Sequence, residues 1–189
     1  MKKIILLALL VGLVGCGPQP ERKLKSKEET KVEVLPDYKW NVQSYHDEMR
    51  ETTSKWLYLR SENSANFGFP YEGENHLTLY VLDSKTKNPT ILLEIDNGQY
   101  HCDLDRCYAT VKFGKNPVQY LTFYKVDNND KLLRFTENTK AFLNNIRNMN
   151  SIIIELPFFQ EGDVQFKFDT KNFNKAETEL ISENNEKNI

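Results

Sequence analysis

No excess of either charge, no long apolar run and no familiar catalytic motif marks this sequence of 189 residues. Its 25 basic and 27 acidic residues leave a formal net charge of -2, so it lacks the basic field that draws a chain to nucleic acid, and no nucleic-acid partner is expected. The longest apolar stretch, residues 4–14, falls short of the roughly 20 residues that a bilayer-spanning helix needs. H-E-x-x-H, G-x-S-x-G, a phosphate-binding loop and a dinucleotide fingerprint are all missing. Cysteine is scarce, at 3 residues, and the 3 histidines His46, His76 and His101 stand in unrelated local contexts, so no metal and no cofactor is expected. What is present, 39% hydrophobic and 28% charged residues with only 8 glycines and 7 prolines, fits one folded domain.

At the N-terminus Lys2 and Lys3 precede the apolar stretch, which ends in Leu13-Val14-Gly15-Cys16. Charge, a short apolar core and a small residue before the end are the marks of a secretory signal, here residues 1–15. The ending resembles the lipobox of bacterial lipoproteins, in which the cysteine is acylated and becomes the new N-terminus. The resemblance implies a lipid anchor on Cys16 and a membrane as one partner. Each buried CH₂ contributes about 0.8 kcal/mol and one chain alone binds marginally, so several acyl chains are needed for stable anchoring. Gly17 and Pro18 follow the cysteine, with no aspartate. By analogy with Gram-negative lipoprotein sorting, this implies the outer membrane.

Residues 16–36 carry prolines at 18, 20 and 36 among mixed charges and have little to bury, which predicts a flexible tether. At about 5–6 Å times the square root of its length, such a segment holds the domain roughly 25 Å from the bilayer.

Residues 37–174 form the expected domain. Residues 56–59, 76–82, 90–95, 109–113, 118–124, 151–156 and 164–168 carry apolar side chains at a period of mostly two, the signature of strands. Turn-forming stretches separate them: Asp83-Ser84-Lys85, Asn88-Pro89, Asp96-Asn97-Gly98, Gly114-Lys115-Asn116-Pro117, residues 127–130 and Glu161-Gly162-Asp163. Short strands so spaced predict a mainly β fold, an antiparallel β-sandwich or open barrel. In one stretch the period changes: Phe142, Leu143, Ile146 and Met149 form a helical stripe, predicting one α-helix over about 139–149 capped by Asn138 or Thr139. Residues 175–189 are polar and weakly helical, and are expected to fray.

With Cys16 assigned to lipid, Cys102 and Cys107 remain, an even number in an oxidising compartment, and they bracket a short turn. A disulfide is expected. The alternative, a metal site drawing on His101, Asp103 and Asp105, lacks the further ligands at defined spacing that zinc requires. His46-Asp47-Glu48 reads as a solvated turn, with an acid/base or metal patch as the alternative. Glu155 interrupts the apolar run 152–156 and should share a strand face with Ile153; exposed it is ordinary, and covered it must be hydrogen-bonded or have a raised pKa. Two aromatic-proline segments, Phe67, Phe69 and Tyr71 around Pro70 and Phe158-Phe159 after Pro157, are the candidate binding residues, because exposed aromatic patches mark recognition surfaces. Core packing is the competing explanation for each.

The body also resembles an uncharacterised family of small exported proteobacterial and prophage proteins. The likeness lies in Asp47-Glu48-Met49-Arg50 with Thr52-Thr53, residues 66–73, Gly98-Gln99 before Cys102, residues 107–113 and residues 158–162 leading to 165–169. More distantly it is similar to periplasmic proteins associated with type VI secretion, which share a tryptophan-led first strand, a short cysteine loop and a terminal hairpin. Neither resemblance carries over a catalytic residue or an activity; the first implies kinship with exported and prophage proteins, which motivates a phage-related role, and the second a secretion-related one. The expectation is therefore a membrane-anchored lipoprotein that binds an envelope protein, peptide or glycan without catalysis. An envelope enzyme or enzyme inhibitor, drawing on His46, His76, His101, Glu155 and Glu161, is the alternative.

Overall fold

Alternating apolar side chains decide which face of each strand turns inward. The computed structural model describes residues 39–127 and 129–185; the signal segment, the lipobox and residues 16–36 lie outside them. In chain order the elements are β1 (Asn41–Asp47), β2 (Thr52–Arg60), β3 (Ala65–Phe67), β4 (Gly73–Asn75), β5 (Leu77–Leu82), β6 (Thr90–Ile95), β7 (Arg106–Phe113), β8 (Gln119–Val126), β9 (Asn129–Phe135), α1 (Thr139–Asn148), β10 (Ser151–Phe158), β11 (Gly162–Asp169) and α2 (Phe173–Asn185). Among the described residues, nine strands form one antiparallel sheet in the order β1-β2-β5-β6-β9-β8-β7-β10-β11, and β3 pairs with β4 in a separate hairpin. The fold is mainly β, as expected, and the sheet does not close into a barrel.

The sheet wraps one core. In β10, Ile152, Ile154, Leu156 and Phe158 are buried while Ile153, Glu155 and Pro157 between them are half-buried. The same alternation buries Leu57 and Leu59 on β2, Ile91, Leu93 and Ile95 on β6, and Val111 and Phe113 on β7. The outer edge of β11 is met by the chain leaving β2. The Glu62 amide donates to the Lys167 carbonyl at 2.7 Å. The Asn63 side chain donates to the Gln165 carbonyl at 2.9 Å and accepts from the Lys167 amide at 2.8 Å. One side-chain amide thus stands in for a strand and satisfies backbone groups at a sheet edge.

Helix α1 has the expected place. Asn138 caps it, accepting from the Ala141 amide at 3.1 Å, and Phe142, Leu143 and Ile146 are buried. The Phe142 ring meets Phe113 and Phe135 at centroid distances of 5.0 and 5.3 Å.

A second helix departs from the expectation of one. α2 begins at Phe173, so the packed body runs past the expected boundary at Asn174 into the segment expected to fray. Phe173, Ala176, Glu177 and Leu180 are buried, at the i, i+3, i+4, i+7 spacing of a helical stripe. Phe173 packs edge-on against Trp40 at 4.8 Å. Glu177, only 2% exposed, accepts from Arg147 at 2.7 Å and Lys85 at 2.8 Å, which ties α2 to the end of α1 and to the β5–β6 turn. Burial pushes this carboxyl up, but hydrogen bonds from Arg147, Lys85 and Ser84 outweigh it and hold the group below the usual glutamate value.

Four strands also formed where no apolar pattern announced them: the three-residue β3 and β4, which pair only with each other, and β1 and β9. β1 is exposed along most of its length and pairs through its backbone at the sheet edge, and β9 starts inside the stretch expected to be a turn.

Cys102 and Cys107 sit at disulfide distance, with Cα atoms 4.4 Å apart, across the turn closed by paired hydrogen bonds between Asp103 and Arg106. A bridge over so short a loop stabilises by about 2 kcal/mol on the chain-entropy model. Chemical denaturation with and without reductant is therefore expected to show that loss on reduction, and superimposable curves would remove the bridge from the account.

Candidate functional site

The two aromatic-proline segments, far apart in sequence, meet at one end of the sheet. The Phe67 and Phe158 rings lie 4.9 Å apart, and Tyr100 packs on Phe158 at 5.0 Å. Gly98 makes this possible: its φ is +151° and a Cβ there would lie 2.8 Å from the Phe67 ring. Polar contacts stitch the segments together. The Gly68 amide donates to Glu161 Oε1 at 2.8 Å, the Phe159 amide donates to the Gln99 carbonyl at 2.9 Å, and the Tyr71 hydroxyl donates to Gln99 Oε1 at 3.3 Å. Asn75 donates to the carbonyls of Tyr71 and Gly73 and holds the loop between β3 and β4.

The five candidate aromatics thereby divide. Phe67 and Phe158 are buried and belong to the core, so for them packing is the answer. Phe69 is 80% exposed and Phe159 46% exposed, with Tyr71 half-buried and packed against the core cluster. Phe69, Tyr71 and Phe159 thus stand on two segments that hydrogen bonds through Gly68, Gln99 and Glu161 hold together. Burial, followed by the field of Glu94, raises the Tyr100 phenol well above its ordinary range, so this support stays neutral.

The other singled-out residues sit in separate places. His46, on β1, shares a hydrogen bond of 3.0 Å with Thr53 and lines a shallow concavity at the β1–β2 turn with Asp47, Glu48 and Arg50. Asp47 accepts from Arg50, which with backbone donors holds its carboxyl below the usual range. His76 Nδ1 donates to the Ser61 carbonyl at 3.0 Å, a structural contact next to β5. His101 is exposed, and its amide donates to the Pro157 carbonyl. Glu155 is half-buried beside Gln165, which donates to it at 2.7 Å. Glu161 is engaged with Gly68 on the aromatic end. Among the described residues, no three His, Cys, Asp or Glu side chains gather as a metal site would require.

A second concavity lies on the outward face of the sheet and was not anticipated. Gln43, Trp56, Tyr80, Leu82, Leu92, Glu94 and Leu132 line an open cleft of about 290 Å³. Register explains the grouping: Gln43 and Leu82 both pair with Trp56, Tyr80 pairs with Leu92, and Glu94 pairs with Leu132, so all stand on one face. The signal was in the sequence. Within runs 77–82 and 90–95 the alternation fails at Tyr80, Leu82 and Leu92, which fall on the face that a strand with one wet side would keep polar.

Neither a protein-family model, a curated protein nor a solved structure matches the chain.

Proposed function

We propose that this chain is a lipid-anchored protein of the bacterial envelope whose β domain is a non-enzymatic binding or accessory module. Its contact surface for a protein, peptide or glycan of the envelope is the patch of Phe69, Tyr71 and Phe159. The observation that carries the reading is the convergence of the two aromatic-proline segments, with Phe69 80% and Phe159 46% exposed on a hydrogen-bonded framework. Apolar rings so displayed gain by being covered, and recognition surfaces are built in this way. The signal segment and the Leu13-Val14-Gly15-Cys16 lipobox support the location, and Gly17-Pro18 after the cysteine supports the outer membrane of a Gram-negative cell. The likeness to exported prophage and secretion-associated proteins supports a role related to phage or secretion.

The test compares capture of envelope components by the native chain and by the double variant Phe69→Ser, Phe159→Ser. Both side chains are exposed, so stability is expected to stay within about 0.5 kcal/mol of the native value. Truncating two central apolar contacts is expected to weaken partner capture by about tenfold or more. Equal capture of the same partner by both proteins would place the contact elsewhere.

A further inference from the structure

The outward cleft between β2, β5, β6 and β9 has a composition that selects its occupant. Trp56 and Tyr80 supply aromatic faces, and Leu82, Leu92 and Leu132 supply apolar walls. Glu94 is the one acidic side chain in the lining, half-buried, and its Oε2 accepts from the Tyr80 hydroxyl at 2.7 Å. Among the described residues Glu94 forms no ion pair. Two cations near it share its face of the sheet: Arg60, two strands away through Thr78 and already paired with Asp96, and exposed Arg134, which pairs with Leu92 and lies diagonal to Glu94 with no ion pair to it. Thus a carboxylate oriented by a neighbouring hydroxyl stands in an apolar cleft with no direct ion pair, and Arg134 stands at the border of the cleft, outside its lining. On the same side Tyr58 and Tyr80 add a pair of tilted rings 6.0 Å apart.

Three occupants can be weighed on this chemistry. A purely apolar group would fill the cleft but cover the carboxylate without pairing it, which costs more than the burial returns. A neutral sugar would stack on the rings and donate hydrogen bonds, leaving the negative charge unpaired as it is desolvated. A lysine or arginine side chain meets every requirement: its methylene stem covers the leucines, its cation pairs with Glu94, and the ring faces of Trp56 and Tyr80 attract the same charge. A single carboxylate with no second acidic or imidazole ligand does not suit a metal ion.

We propose that this cleft is a docking site for a basic side chain, lysine or arginine, presented by a partner protein, with Glu94 as the charge-pairing residue and Trp56 and Tyr80 as its walls. The site is separate from the Phe69–Phe159 surface and does not depend on it.

The chain has two tryptophans, and only Trp56 lines the cleft; Trp40 is buried with its Nε1 donating to the Thr170 carbonyl at 3.5 Å. Their indole N–H signals in an NMR titration of the full chain therefore report the site and an internal control. The probe is a tetralysine peptide with blocked ends. The expected result is a saturable shift of the Trp56 signal with Trp40 unmoved, and affinity that falls as salt rises. Glu94→Gln keeps an acceptor for the Tyr80 hydroxyl and removes the charge, and is expected to weaken binding by about tenfold. The same peptide with every side-chain amine acetylated is expected to leave the signal in place. The proposal is overturned if tetralysine leaves Trp56 unmoved, if the acetylated peptide shifts it equally, if Glu94→Gln binds as tightly as the native chain, or if a neutral chito-oligosaccharide shifts Trp56 where tetralysine does not.

Discussion

Replacing Cys16 by alanine is expected to move the protein from the membrane fraction to the soluble fraction, the largest change any single substitution in this chain should produce. In the proposed lipoprotein the acyl chains on this cysteine supply the membrane affinity, at about 0.8 kcal/mol for each buried CH₂. The apolar stretch 4–14 of the signal segment is shorter than the roughly 20 residues that span a bilayer, and nothing else identified in the chain replaces the acyl chains. Among the described residues no helix is long and apolar enough to cross a bilayer, and the net charge of -2 offers no general attraction to anionic lipid. The basic residues Arg22, Lys23, Lys25 and Lys27 are offset by nearby glutamates. Fractionation of cells expressing the native and Cys16→Ala forms checks this directly. An alanine form that stays with the membrane, resistant to high salt, would show that the anchor is not the lipid on Cys16.

Removing the Glu177 carboxylate is expected to give the largest loss of fold stability among single polar substitutions. This side chain is 2% exposed and joins three elements: α2, the end of α1 through Arg147 and the β5–β6 turn through Lys85. Glu177→Ala leaves Arg147, whose side chain is 27% exposed, without its charge partner and uncouples α2. Breaking a buried pair costs 3–5 kcal/mol in general, and because both cations here keep some contact with water the loss is set at the lower end, about 3 kcal/mol. Equilibrium denaturation monitored by Trp40, which packs on Phe173 of the same helix, provides the readout.

A pH dependence follows from the same group. Its folded pKa lies below the ordinary glutamate value of 4.5, so the unfolded chain binds the proton more readily. The stabilisation is fully present above that ordinary value and is lost as pH falls through the folded one. Glu177→Gln, which keeps acceptor and donor but no charge, is expected to be less damaging than alanine and to show a flatter acid limb. A variant as stable as the native chain at neutral pH would mean that α2 is held by Phe173, Ala176 and Leu180 alone.

How legible these features were in the sequence depended on which force built them. β10 and β11 announced themselves because burial on one face writes a period of two, as in residues 151–156 and 164–168. β1 did not, since a strand exposed on both faces and held by backbone pairing leaves no hydrophobic trace. α2 did carry a trace: Phe173, Ala176 and Leu180 are helically spaced, but the charged Glu177 stands in the middle of the stripe, and only its partners on α1 and the β5–β6 turn make that position habitable. At the aromatic surface the residue types were visible and their meeting was not. Which of the five rings would be core depended on Phe67 reaching Phe158 over Gly98, a contact between distant segments that no local pattern encodes. The outward cleft is written only faintly, because Tyr80, Leu82 and Leu92 follow directly on inward-facing residues and only the pairing of β2, β5, β6 and β9 gathers them on one face.

The central claim, that the end of the sheet bearing Phe69 and Phe159 contacts an envelope partner, is tested most directly by photo-crosslinking in cells. A photoreactive amino acid is placed at position 159, and in parallel at position 87, an exposed lysine in the β5–β6 turn that belongs to neither proposed surface. The account predicts a discrete crosslinked product from position 159 that is absent from position 87 and reduced when Phe69→Ser is added. No product from position 159, or the same products from both positions, would contradict it.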